Sequence, residues 1–122
     1  MGKLCRILIV EDLPDARDSL RVVLELLDYE VEVAADGVEG VRKALAWRPD
    51  VAVVDIGLPR LSGYEVAKQV RSELGNKVVL IALTAYTSPE DRQRAYDVGF
   101  NVHLPKPADV EELCRLLALA RL

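Results

Sequence analysis

Hydrophobic residues are distributed along this chain in two rhythms: short unbroken runs, and longer stretches in which apolar positions recur three and four residues apart. The unbroken runs are Arg6 to Val10 (RILIV), Val51 to Val54, and Val78 to Leu83, the last being the most hydrophobic. Asn101 to Leu104 is a shorter run, and Tyr29 to Ala34 alternates in part, as an edge or near-edge strand does. Runs that are apolar at successive positions predict strands covered on both faces, the usual state of a parallel sheet.

The helical rhythm falls between them. Ala16, Leu20, Val23, Leu24 and Leu27 follow Pro14, which suits a first helical position. Asp36 and Glu39 form a capping pair for a helix through Val38, Val41 and Leu45 that ends at Arg48-Pro49. Ser62 and Glu65 make an S-x-x-E capping box for a helix carrying Val66, Val70 and Leu74, closed by Gly75-Asn76. Ser88-Pro89-Glu90-Asp91 opens a fourth helix that Gly99 closes. The last helix, from about Ala108, places Val110, Leu113, Cys114 and Leu117 on one face, with Leu116 and Leu119 off it as a candidate apolar contact patch. Five strands thus alternate with five helices, without linker or repeat, which predicts one α/β domain over 1–122. Right-handed crossovers make it a doubly wound three-layer sandwich with a mostly parallel sheet.

Composition narrows the function. With 51% hydrophobic residues among 122, the chain can bury a core, but aromatics are only 5%, so Val, Leu, Ala and Ile must fill it. The net charge of -4 gives no footprint for nucleic acid. No run is long enough for a membrane span or a signal peptide, and Cys5 and Cys114 lack metal-ligand spacing, so a soluble cytoplasmic protein is expected.

The chemistry lies where the apolar runs stop. The four runs are followed by Glu11-Asp12, Asp55, Thr84 and Lys106. In an open parallel sheet these carboxyl ends share one edge, where ligands bind. Three carboxylates there repel one another by roughly 4 kcal/mol per close pair at an effective dielectric of ~20. One ammonium, Lys106, does not balance them, and a hard divalent cation with oxygen ligands completes the set; Mg²⁺ suits it because it keeps several waters and needs few protein carboxylates. A carboxylate beside such an ion can take up a phosphoryl group, with charge spread over metal, ammonium and hydroxyl. Asp55, ending the strand placed at the sheet centre, is the leading nucleophile.

The segments ILIVEDLPDAR, VAVVDIGLPRLSGYEVAKQVR, LIALTA and HLPKP together resemble the receiver domain of two-component response regulators, over essentially the whole chain. The resemblance implies a flavodoxin-like (βα)5 fold with strand order 2-1-3-4-5. It implies that Asp55 accepts a phosphoryl group from a phosphohistidine on a sensor histidine kinase or histidine phosphotransfer protein, and that the chain catalyses its own slow dephosphorylation. It further implies Mg²⁺ held by Glu11, Asp12, Asp55 and the carbonyl of Gly57, phosphoryl contacts from Thr84 and Lys106, a cis bond before Pro107, and a switch pair of Thr84 and His103. The partner surface it implies is the face of the fourth helix, fifth strand and last helix, toward a downstream protein, an attached domain or a second copy.

Two positions depart from the family pattern. Glu11 stands where Asp is commoner, and His103 where Tyr or Phe is usual. A smaller, polar ring needs a hydrogen-bond partner when it turns inward, so a weaker or pH-sensitive switch is expected. The wording of DIGLPRLSGYEVAKQVR and LIALTAYTSPEDRQRAYDVGF is closer to receivers of hybrid histidine kinases than to those of transcription factors, and the chain reads either as a stand-alone receiver or as a piece of a longer protein.

Two other functions fit less well. An aspartate-nucleophile phosphohydrolase commonly carries a second Asp two residues after the nucleophile, where this chain has Gly57. A nucleotide or flavin binder needs a glycine-rich phosphate loop, where this chain has acidic Glu11-Asp12-Leu13-Pro14.

Overall fold

The structure, a computed structural model, describes residues 5–120. Its elements alternate: β1 (Arg6–Val10), α1 (Pro14–Leu26), β2 (Glu30–Ala34), α2 (Gly37–Trp47), β3 (Val51–Asp55), α3 (Gly63–Leu74), a 3-10 turn at Gly75–Lys77, β4 (Val79–Thr84), α4 (Pro89–Val98), β5 (Val102–Pro105) and α5 (Val110–Ala120). The strands form one sheet in the order β2-β1-β3-β4-β5, and every pairing is parallel. This is the doubly wound, flavodoxin-like order expected above.

The unbroken apolar runs are explained by two cores, one on each face of the sheet. Because side chains alternate across a strand, Leu8, Val10, Ala52, Val54, Leu80 and Ala82 face α2, α3 and α4, where Ala44, Val66, Val70, Ala95 and Phe100 meet them. Ile7, Ile9, Val51, Val53, Ile81 and Leu83 face the other way, onto Leu20 and Leu24 of α1 and Leu113 and Leu117 of α5. β2 is the exception: Glu30 and Glu32 point to solvent, and charge on that edge discourages pairing with another chain.

The helix starts follow their caps. The Asp36 carboxylate accepts the Glu39 N–H, while the Glu39 side chain reaches back to the Ala35 N–H. The hydroxyls of Ser62 and Ser88 accept the N–H groups of Glu65 and Asp91. α1 has no side-chain cap and relies on Pro14.

The structure corrects the sequence reading at several helix positions. Ala16 is exposed, and Leu27 lies beyond the last turn of α1; only Leu20 and Leu24 are buried there. In α2, Val38 is exposed and small residues take its place, since Gly40 lies against Val10. α5 begins two residues later than expected and rolls, so that Val110 is 38% exposed while Leu116 packs on the core. Of the two leucines read as off-face, only Leu119 is exposed.

Gly63 joins fold to site. A Cβ built there would lie 2.5 Å from the carbonyl oxygen of Asp55 and 2.7 Å from Cα of Ile56, both backbone atoms that cannot yield cheaply. The Gly63 N–H also donates to the Ile56 carbonyl at 2.9 Å, docking the start of α3 on the end of β3. Gly63→Ala should therefore lower stability by about 1–3 kcal/mol, the usual cost of overpacking. Gly57→Ala, whose Cβ would approach nothing closer than Asp55 Oδ1 at 3.9 Å, should cost much less. Urea unfolding of the two variants measures the difference.

Candidate functional site

The sheet register assembles the site. Val10 lies opposite Val54, so the residues that follow, Glu11 and Asp55, leave neighbouring strands side by side. One carboxylate oxygen from each of Glu11, Asp12 and Asp55 lies within 4.8 Å of the others. Glu11 is only 3% exposed and Asp55 5%, with Asp12 half-buried. Lys106 arrives from the far side, because its N–H donates to the Thr84 carbonyl at 2.9 Å and continues the β4–β5 ladder by one residue. The Lys106–Pro107 peptide bond is cis. The ammonium lies 2.9 Å from Asp55 Oδ2 and 3.0 Å from Glu11 Oε1.

Other oxygens have backbone partners. Asp55 Oδ1 accepts the Gly57 N–H at 3.0 Å, and Glu11 Oε2 accepts the Leu13 N–H at 3.2 Å. Glu11 Oε1 is different: it is buried and makes no hydrogen bond, its contact with Lys106 being an ion pair without hydrogen-bond alignment. A buried carboxylate oxygen left in this state suits a cation. Asp12, Leu13, Asp55, Gly57, Ala85, Tyr86 and Lys106 line an open cleft of about 280 Å³.

The electrostatics follow from burial and crowding. Burial pushes the Glu11 carboxyl above its ordinary pKa; Lys106 and the Leu13 N–H oppose this, and the charge of Asp55 adds to it. For Lys106, burial alone would lower the pKa, but the close carboxylates of Asp55 and Glu11 outweigh it and raise the pKa overall.

Glu11, Asp12, Asp55 and Lys106 thus converge. Thr84 is buried at the end of β4, but its hydroxyl is engaged in its own loop, accepting the Tyr86 N–H at 2.8 Å. On the neighbouring strand, His103 is half-buried, with Nε2 3.1 Å from the Tyr86 carbonyl oxygen. A carbonyl only accepts, so this nitrogen carries the proton. Tyr86, which the sequence reading passed over, is therefore the joint between Thr84 and His103. Its signal was available: a large aromatic two residues beyond the strand-ending hydroxyl, in a loop that leads to a capped helix.

This edge, three carboxylates and a lysine on a 2-1-3-4-5 sheet, is the site of a receiver domain, and the chain belongs to that family: residues 7–118 match the response regulator receiver domain. Among curated proteins it is similar to the response regulator MprA of Mycobacterium ulcerans (strain Agy99), 44% identical over 117 residues that make up 95% of this chain and 50% of that protein. The same protein from Mycobacterium avium (strain 104) is also 44% identical, over 95% of this chain and 51% of the relative. The chain spans about half the length of the curated relatives it matches. Among solved structures it is similar to the chemotaxis protein CheY4 of Vibrio cholerae, with TM-score 0.89 and 35% identity over 97% of this chain and 99% of that one. It is likewise similar to the receiver domain of the sensor histidine kinase PA1611 of Pseudomonas aeruginosa PAO1, which has a magnesium ion coordinated in its active site cleft; the TM-score is 0.86, with 36% identity over 96% and 97% of the two chains. No helix among the described residues is long and apolar enough to cross a membrane.

The raised pKa of Glu11 has a consequence for stability. A carboxyl whose folded pKa exceeds 4.5 binds its proton in the folded state before the unfolded chain does, so between those two values stability from this group rises as pH falls. Glu11→Gln removes the titration. In EDTA, the stability of Glu11→Gln relative to the unaltered protein should shift in the variant's favour as pH rises from about 5 to about 7, as read from urea midpoints.

Proposed function

We propose that Asp55 is the phosphoacceptor of this receiver domain, taking its phosphoryl group from a phosphohistidine on a sensor histidine kinase or a histidine phosphotransfer protein. The observation that carries this reading is the setting of one side chain: a buried carboxylate at the end of the central strand, with Oδ2 on the Lys106 ammonium and Oδ1 on the Gly57 N–H, beside two further carboxylates. In the transfer, a carboxylate oxygen of Asp55 forms a bond to phosphorus as the phosphorus–nitrogen bond of the donor breaks, and the histidine nitrogen leaves with that electron pair. Lys106 stays beside the carboxylate and meets the charge carried over on the phosphoryl oxygens. Thr84 reaches the same oxygens by giving up its hydrogen bond to Tyr86.

Mg²⁺ fits the donor set of Glu11, Asp12 and Asp55, with the Gly57 carbonyl completing the protein's share. Bound there, it supplies charge neutralisation and a fixed position for phosphoryl oxygens. Slow loss of the phosphoryl group to water returns the switch to its ground state. Gly57, at the position where aspartate-nucleophile hydrolases commonly place their acid/base, leaves that position without a proton donor and favours a lasting acyl phosphate over rapid turnover.

The signal leaves through Thr84, Tyr86 and His103 toward the face of α4, β5 and α5, where a downstream protein, an attached domain or a second copy binds. Phosphorylation moves this face only as far as the phosphoryl group favours one conformation over another. The setting is cytoplasmic, as for any chain that takes phosphoryl groups from kinase histidines. The parent protein is a response regulator or a hybrid histidine kinase.

Incubation with acetyl phosphate and Mg²⁺ tests the acceptor by intact mass. One phosphoryl group per chain is expected, labile to hydroxylamine and absent in Asp55→Asn; modification that persists in that variant would overturn the assignment. Lys106→Met should still bind the ion while losing most of the modification rate.

A further inference from the structure

Helix α4 is weakly held by apolar contact. Among its ten residues only Ala95 is buried, and Val98 packs partly on the core; its remaining fastenings are polar. At its carboxyl end Phe100 is buried in the core just past Gly99, and the polar fastening comes from Arg71, near the end of α3. The Arg71 Nε donates to the Gly99 carbonyl at 2.9 Å. Nη1 donates to the carbonyls of Gly75 and Val78, each at 2.7 Å, and Nη2 to Asn101 Oδ1 at 2.5 Å. Asn101 Oδ1 also accepts the Leu80 N–H at 2.8 Å, so the same oxygen binds the α4–β5 connection to β4. Gly99 has φ of 115°, and a Cβ there would lie 2.6 Å from Arg71 Cγ, so the arginine stem rests directly on this helix-ending residue. One planar guanidinium thereby joins the end of α3, the turn after it, the start of β4 and the residues between α4 and β5.

Midway along α4 the fastening is of a different kind. The Arg94 guanidinium lies over the ring of Tyr64, on the first turn of α3, 3.9 Å from its centroid. The Ser88 cap is internal to the helix, and the loop ahead of it is tied to the site through Tyr86. A single stacked contact can slide or part, whereas bonds from one guanidinium to four acceptors hold direction as well as distance.

We propose that Arg71 is the pivot of α4: it fixes residues 99–101 to the start of β4, so movement of the helix is confined to the part ahead of that anchor, which the mid-helix contact of Arg94 with Tyr64 holds releasably. Arg71 sits at the edge of the sheet opposite Asp55, so it acts as a positioning residue and touches no reacting group. The inference concerns the resting protein and stands apart from the choice of Asp55 as acceptor.

Hydrogen exchange on the full chain, without phosphodonor, tests it. Lysine at this position keeps the charge but cannot bridge several segments, so Arg71→Lys should speed exchange over residues 95–101 by about tenfold or more and leave β1 and β3 unchanged. Asn101→Asp keeps both acceptor roles and adds charge opposite Arg71, so exchange over 99–101 should slow. Arg94→Met should speed exchange within 90–96 and leave 99–101 unchanged. Protection of 95–101 unchanged in Arg71→Lys, or equal loosening of both stretches in Arg71→Lys and Arg94→Met, would overturn the pivot. If Arg71→Lys does not fold, Asn101→Asp decides: slower exchange over 99–101 supports the pivot and faster or unchanged exchange contradicts it.

Discussion

Three carboxylates meet one ammonium at the carboxyl edge of a buried parallel sheet, and that imbalance governs the rest of the molecule. Glu11 and Asp55 are nearly inaccessible to water, and Lys106 sits between them at 3.0 and 2.9 Å. Removing such charges from water is costly unless they are paired. Lys106 satisfies part of the need, as its raised pKa records, while Glu11 Oε1 is left without a hydrogen bond. A site in this condition favours whatever brings positive charge. The two-sided core keeps the acids in place, because Val10 and Val54 are fixed in register and a slip of either strand would disrupt the close packing of both cores.

Much of this was legible in the sequence, for a simple reason. Strands covered on both faces must be apolar throughout, so each polar residue that ends one marks the sheet edge. That logic brings Glu11, Asp12, Asp55 and Lys106 together, and the caps at Asp36, Ser62 and Ser88 form as their spacing suggested. Side-chain direction was less legible. Helical periodicity does not say how far a helix rolls on its sheet, and so Val110 and Leu116 exchanged roles and Ala16 turned outward. The hydroxyl of Thr84 was placed at the right edge, but its engagement with the Tyr86 N–H depends on a loop geometry that spacing does not encode. Arg71 gave no signal at all, because its acceptors are mostly backbone carbonyls brought together only by the fold.

The opposite edges of the sheet divide the work. At one edge the polar groups are crowded and unbalanced, and Thr84 and His103 both lean on Tyr86. At the other, Arg71 places four of its five N–H donors on acceptors. Helix α4 runs between the two with sparse apolar contact, Ala95 being its one buried residue. His103 joins this edge through Nε2, which donates to the Tyr86 carbonyl.

Calorimetric titration of Mg²⁺ into metal-free protein near pH 7 tests the charge imbalance most directly. One ion per chain should bind, and binding should weaken sharply in both Asp12→Asn and Asp55→Asn, since each removes one of the carboxylates that leave the site in excess. No measurable binding, or equal binding by the unaltered protein and both variants, would contradict the account.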